Sequence, residues 1–88
     1  MKVYTIQITQ HRVGRDDTIR VQKGTLQELI ETFKYTLECG QSFQHEKGNK
    51  KINVNPKTIK SLVTNLNNAI NNSALNGYAG KYYELIEN

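Results

Sequence analysis

Thr18-Ile19-Arg20-Val21-Gln22-Lys23-Gly24-Thr25-Leu26-Gln27-Glu28-Leu29-Ile30 contains the point at which the hydrophobic period of the chain changes. Up to Gln22, apolar and polar residues alternate, the pattern of a half-buried strand with Ile19 and Val21 inward. Beyond Gly24, Leu26, Leu29, Ile30, Phe33 and Leu37 fall on one stripe, as an amphipathic helix requires. Thr25 with Glu28 three residues on forms a capping box, which marks where the helix begins. Gly40 is a stop signal, so the first helix is expected over Leu26 to Cys39. Cys39 lies off its apolar stripe and is expected to be partly exposed.

Upstream, residues 2–13 alternate too, with Tyr4, Ile6 and Ile8 on one face and Thr5, Gln7 and Thr9 on the other. Gly14-Arg15-Asp16-Asp17 is turn chemistry, and the two alternating segments read as an antiparallel hairpin. Downstream, Gln41 to Asn55 is a long connection. Ile52 and Val54 alternate, so it is either an ordered loop or a short strand pairing with Ser42–His45 across Lys47-Gly48-Asn49. Asn55-Pro56 then supplies an N-cap and a first helical residue. Ile59, Leu62, Val63, Leu66, Ala69 and Ile70 form the buried stripe of a second helix. Asn65, Asn67, Asn68, Asn71 and Asn72 are placed on its outer face. Such side chains can bond bases, phosphates or backbone, and they also arise from biased base composition, the reading preferred here. Ser73 to Gly80 is a loop, and Lys81 to Ile86 a last strand in which one of Tyr82 and Tyr83 must point away from the core. The expected fold is α+β: one small antiparallel sheet, ordered strand two, strand one, C-terminal strand, with two amphipathic helices on one face.

Eighty-eight residues make one domain (1–88), and 36 % apolar content makes a small core. Such a domain gains stability from a partner or a second copy, so a homo-oligomer is open. A net charge of +4 favours polyanions or acidic protein surfaces. The lone Cys39 excludes an intramolecular disulfide and suits a reducing cytoplasm. No apolar run approaches a membrane span, and the N-terminal residues lack the apolar core of a signal peptide. His11 and His45 have no metal-ligand partners at useful spacing, and no glycine-rich phosphate loop follows a strand. Neither a cofactor nor a metal is implied.

The charge is concentrated. Residues 44–63 carry five lysines, Lys47, Lys50, Lys51, Lys57 and Lys60, against one acid, Glu46. A helix start prefers acidic residues, so Lys57 and Lys60 run against the helix they are expected to open. Lysines beside free helix N–H groups favour anions, and these five are the nucleic-acid-binding candidates. The alternative is a solvated loop that keeps the protein soluble. Tyr35 and Tyr78, with Arg15 and Arg20 near the hairpin tip, are candidates for contact with a partner, tyrosine being enriched at interfaces. No complete RNA-recognition, KH or helix-turn-helix signature is present. His45, Glu46 and Lys47 supply the residue types of a metal-free ribonuclease, but adjacent residues seldom converge.

Gly24-Thr25-Leu26-Gln27-Glu28-Leu29-Ile30, Tyr35-Thr36-Leu37-Glu38-Cys39-Gly40, Asn55-Pro56-Lys57-Thr58-Ile59-Lys60-Ser61-Leu62-Val63 and Lys81-Tyr82-Tyr83-Glu84-Leu85 together resemble small accessory proteins of T-even-like tailed bacteriophages. The resemblance spans most of the chain and lies in texture and spacing. It implies a non-catalytic protein acting in the cytoplasm of an infected bacterium, where it binds and disables a host factor. Inhibitors of toxin–antitoxin and CRISPR defences are among such proteins. The basic charge suits one that engages RNA, more than DNA, or an RNA-bound nuclease. The runner-up functions are a stand-alone RNA- or DNA-binding domain and a small metal-free ribonuclease.

Overall fold

The computed structural model of this chain describes residues 1–74 and 80–86. Its elements are β1 (Tyr4–Arg12), β2 (Arg15–Gly24), α1 (Leu26–Thr32), α2 (Lys34–Ser42), α3 (Ile59–Ala74) and β3 (Lys81–Ile86). The strands form one antiparallel sheet in the order β2-β1-β3. This is the expected α+β architecture, with the helices on one face of the sheet. Ile6, Ile8 and Tyr83 from the sheet meet Leu29, Ile30, Phe33, Leu37, Leu62, Leu66, Ala69 and Ile70 from the helices in one core. Phe33 packs edge-on against Tyr83, with ring centroids 5.4 Å apart. Tyr82 is the tyrosine of that pair that faces out.

Several local expectations are corrected. The hairpin turns at Val13-Gly14, not over Gly14–Asp17: Arg12 pairs with Arg15, and Gly14 takes φ 76°. With a bulge between Gln10 and Arg12, this register places Arg20 opposite Ile8 and Gln22 opposite Ile6. Even-numbered β2 residues therefore share the helix-covered face. Ile19 and Val21, expected inward, lie on the open face at 61 % and 56 % exposure. Alternation alone cannot set register, and the position of the turn reverses every side chain on the strand.

The first helix starts at its capping box, with both reciprocal Thr25–Glu28 bonds present. It is broken at Phe33, whose φ is −101° and ψ 12°. The Thr32 hydroxyl donates to the Glu28 carbonyl at 2.9 Å, a contact that bends helices, and the break lets Phe33 reach Tyr83. Gly40 does not stop the helix. It lies inside α2, and a Cβ built on it would come within 2.3 Å of Ala69 Cβ, so its role is the close approach of α2 and α3. Cys39 is half-buried, as expected.

The second helix is capped by Thr58, not by Asn55-Pro56. Ser61 N–H donates to Thr58 Oγ1 at 3.1 Å, and Leu62 N–H to the Thr58 carbonyl at 3.0 Å. Pro56 is buried ahead of the helix. No strand forms between α2 and α3: the ordered-loop alternative holds.

Candidate nucleic-acid interface

α3 is the spine of the site, and its asparagines are not an outer polar face. The 3.6-residue repeat sends Asn65 and Asn72 to one flank and Asn67 to the opposite one. Asn72 is only 2 % exposed and makes three bonds. Its carbonyl accepts from Lys50 N–H at 3.0 Å, and its amide donates to the carbonyls of Lys50 at 2.7 Å and Gly40 at 3.1 Å. Asn65 accepts from Asn53 N–H at 2.8 Å and donates to the Ser61 carbonyl at 2.8 Å. Gln44 accepts from Ile52 N–H at 3.2 Å, and Asn49 donates to the Phe43 carbonyl at 2.6 Å. A side-chain amide offers the same donor and acceptor as a peptide group. These amides thus replace the missing strand partner and hold residues 50–53 along α3, with Ile52 plugged into the core. On the other flank Asn67 takes both main-chain groups of Tyr83, accepting from its N–H at 2.8 Å and donating to its carbonyl at 2.9 Å.

Lys50 and Lys51 ride on this fastened backbone. Lys47, Lys50, Lys51, Lys57 and Lys60 are all exposed. None has a side-chain partner among the described residues, where the ion pair is His11 with Asp17, at 2.8 Å. Lys50, Lys57 and Lys60 are spread in a row along α3, not clustered. Lys50 sits beside the last turns of α3 through Asn72, whereas Lys60 is in its first turn and Lys57 just ahead of the Thr58 cap. Twelve helical residues separate these levels, about 18 Å at 1.5 Å per residue, roughly the span of five phosphates along one strand of a duplex. The first turn of α3 has no acidic residue, so the helix dipole adds to the lysines at that end.

Beside Lys60 the row opens into a cleft of about 380 Å³ lined by Lys2, Val3, Tyr4, Ile59, Lys60, Leu85 and Ile86. The Lys2 ammonium stands 5.5 Å over the Tyr4 ring. Lys2 carries no sequence signal for this role: it joins Lys60 only because β1 and β3 run beneath the start of α3.

Of the other expected contact residues, the two arginines stand on a strand away from α3. Tyr35 is 76 % exposed on α2. Arg15 and Arg20 are exposed on β2, which β1 separates from β3 and the α3 side of the sheet. Arg20 faces the helix layer, close enough to the Tyr83 phenol to act on it electrostatically. Tyr78 lies outside the described residues. His45 meets the Gln44 amide at 3.4 Å, and no group of three or more metal-ligating side chains occurs among the described residues. No described helix is long and apolar enough to cross a membrane. In comparisons with known proteins, no family model, curated protein or solved structure matches the chain.

Proposed function

We propose that this chain is a non-catalytic accessory protein of a tailed phage that binds a host nucleic-acid-processing factor in the bacterial cytoplasm, with Lys47, Lys50, Lys51, Lys57 and Lys60 lying on the RNA or DNA of that factor. RNA is the favoured polyanion. The carrying observation is five exposed lysines without a side-chain partner among the described residues, two of which, Lys50 and Lys51, stand on a segment whose backbone Asn72 and Asn65 already order. A row whose backbone is ordered before binding loses less entropy on contact than a mobile loop does. The cleft beside Lys60 supports the same reading, since its apolar floor suits a base while Lys2 and Lys60 meet phosphate.

The test is recovery of tagged protein from bacterial lysate, with and without nuclease, for the wild type and for Lys50→Ala/Lys51→Ala/Lys57→Ala/Lys60→Ala. The expected result is one host protein that the wild type retains after nuclease, and weaker recovery of that protein by the variant where the nucleic acid is left intact. Recovery of nucleic acid alone would replace this reading with a stand-alone nucleic-acid-binding domain. Equal recovery by both proteins would remove the lysine row from the interface.

A further inference from the structure

The two edges of the sheet differ. On β3, Asn67 occupies both outward main-chain groups of Tyr83. Among the described residues, no side chain covers β2 in this way. His11 N–H donates to the Gly80 carbonyl, so odd-numbered β1 residues bond to β3 and even-numbered ones to β2. The even-numbered β2 partners Thr18, Arg20 and Gln22 are used in that ladder. The N–H and C=O groups of Asp17, Ile19, Val21 and Lys23 therefore point outward along an exposed edge. Natural edges are usually blocked by proline, a bulge, a covering element or charged side chains, and of these residues 17–23 carry the charges of Asp17, Arg20 and Lys23. Residues 17–23 contain no proline, and the bulge of this hairpin lies on the β1 side, beyond Gln10.

We propose that β2 pairs antiparallel with β2 of a second copy, in the register that sets Ile19 opposite Val21 and Asp17 opposite Lys23 of the other chain. The sheet then runs β3-β1-β2-β2-β1-β3 across a two-fold axis at Arg20. Closed two-fold symmetry requires a self-complementary patch, and this stretch is one. All four odd-numbered residues lie on the open face and present hydrogen-bonding pairs, and the register makes two apolar pairs and two opposite-charge pairs. Sliding by two residues one way sets Asp17 against Val21 and Arg15 against Lys23. Sliding the other way sets Ile19 against Lys23. An odd slip aims outward groups at inward ones. Two features oppose it: Arg20 faces its own copy at the axis, a solvent-exposed contact that salt screens, and the Asp17 carboxylate already meets His11 Nδ1 at 2.8 Å within the chain, so Lys23 of the other copy must share it. Because the axis is perpendicular to the sheet, both helix layers, and with them both lysine rows, share one face.

Sedimentation velocity of the full chain, from low micromolar to near-millimolar concentration, tests this. Asp17→Lys and Lys23→Asp each place like charges at both symmetric positions and should weaken the dimer about tenfold or more. Asp17→Lys/Lys23→Asp restores opposite charges and should recover it. Far-UV circular dichroism, unchanged in all three, confirms that the exposed substitutions leave the fold intact. A wild type that stays monomeric overturns the proposal, and so does a dimer indifferent to the single reversals. Failure of the double reversal to recover a dimer that the single ones broke overturns the register.

Discussion

Replacing Asn72 with Ala probes the link between the fold and the lysine row. The substitution removes three hydrogen bonds from a side chain that is 2 % exposed. Bonds of this kind contribute about 1 kcal/mol each in mutational series, and a buried group left without a partner costs about 1–3 kcal/mol. Gly40 C=O is the buried partner, whereas water can reach the Lys50 groups in part, so the expected loss is about 2–4 kcal/mol. For 88 residues the whole stability is about 4–13 kcal/mol, so the urea midpoint should fall clearly with little change in slope. Asn72→Asp separates hydrogen bonding from packing. It retains an acceptor for Lys50 N–H but turns a carboxylate toward two carbonyls, so it should be at least as destabilising at neutral pH. Burial raises the pKa of such a carboxyl, and protonation restores a donor, so the deficit should shrink as pH falls. Amide exchange gives an independent readout: Lys50 N–H should be protected in the wild type and exchange faster in Asn72→Ala. A loss below about 0.5 kcal/mol, typical of a surface residue, would refute the reasoning.

Gly40→Ala should destabilise by about 1–3 kcal/mol through overpacking, although alanine is the better helix former by about 1 kcal/mol; Ala69→Gly in the same chain should recover part of the loss, read by a double-mutant cycle in urea. Bonds from the Thr25 N–H and hydroxyl hold the Glu28 carboxyl below its usual value of 4.5. The contribution of Glu28 is therefore present above that value and lost as pH falls through the lowered one; Glu28→Gln should flatten the urea midpoint against pH in that acidic range. Burial raises the Tyr83 phenol above 10, against smaller opposing effects from its Thr36 hydrogen bond and Arg20. Its stabilisation is complete below pH 10 and is lost as pH rises through the raised value, so Tyr83→Phe should unfold at higher pH than the wild type in an alkaline titration.

Element type was legible wherever hydrophobic period and capping agreed. The stripe through Leu29, Ile30, Phe33 and Leu37, the Thr25–Glu28 box and the alternation of Tyr4, Ile6 and Ile8 each recur in the structure, as does the order β2-β1-β3. What failed was information carried across the chain. Ile19 and Val21 alternate in either register, and the two-residue turn decides which face they take. Gly40 has the chemistry of a helix stop, but only the approach of Ala69, 29 positions later, reveals its packing role. The asparagines of α3 were the largest miss. All five were assigned to the outer face, yet the 3.6-residue repeat sets Asn65 and Asn72 on the flank of the apolar stripe, where main-chain groups of the connecting loop satisfy them on burial. The available signal was the loop itself: an extended segment with no strand partner needs donors and acceptors from somewhere, and Asn65 and Asn72, seven residues apart, repeat on one helix face. The lysine row was legible as charge but not as geometry, and Lys2 entered through tertiary contact alone.

The most direct test of the lysine row is the fluorescence anisotropy of a labelled single-stranded RNA titrated with wild-type protein and with Lys50→Ala/Lys51→Ala/Lys57→Ala/Lys60→Ala over a series of salt concentrations. Single-strand binding weakens with a log–log slope near −0.7 per phosphate contact, so removing four contacts should lower affinity at every salt and reduce the slope by about 3. Identical affinity and slope for the two proteins would contradict the account.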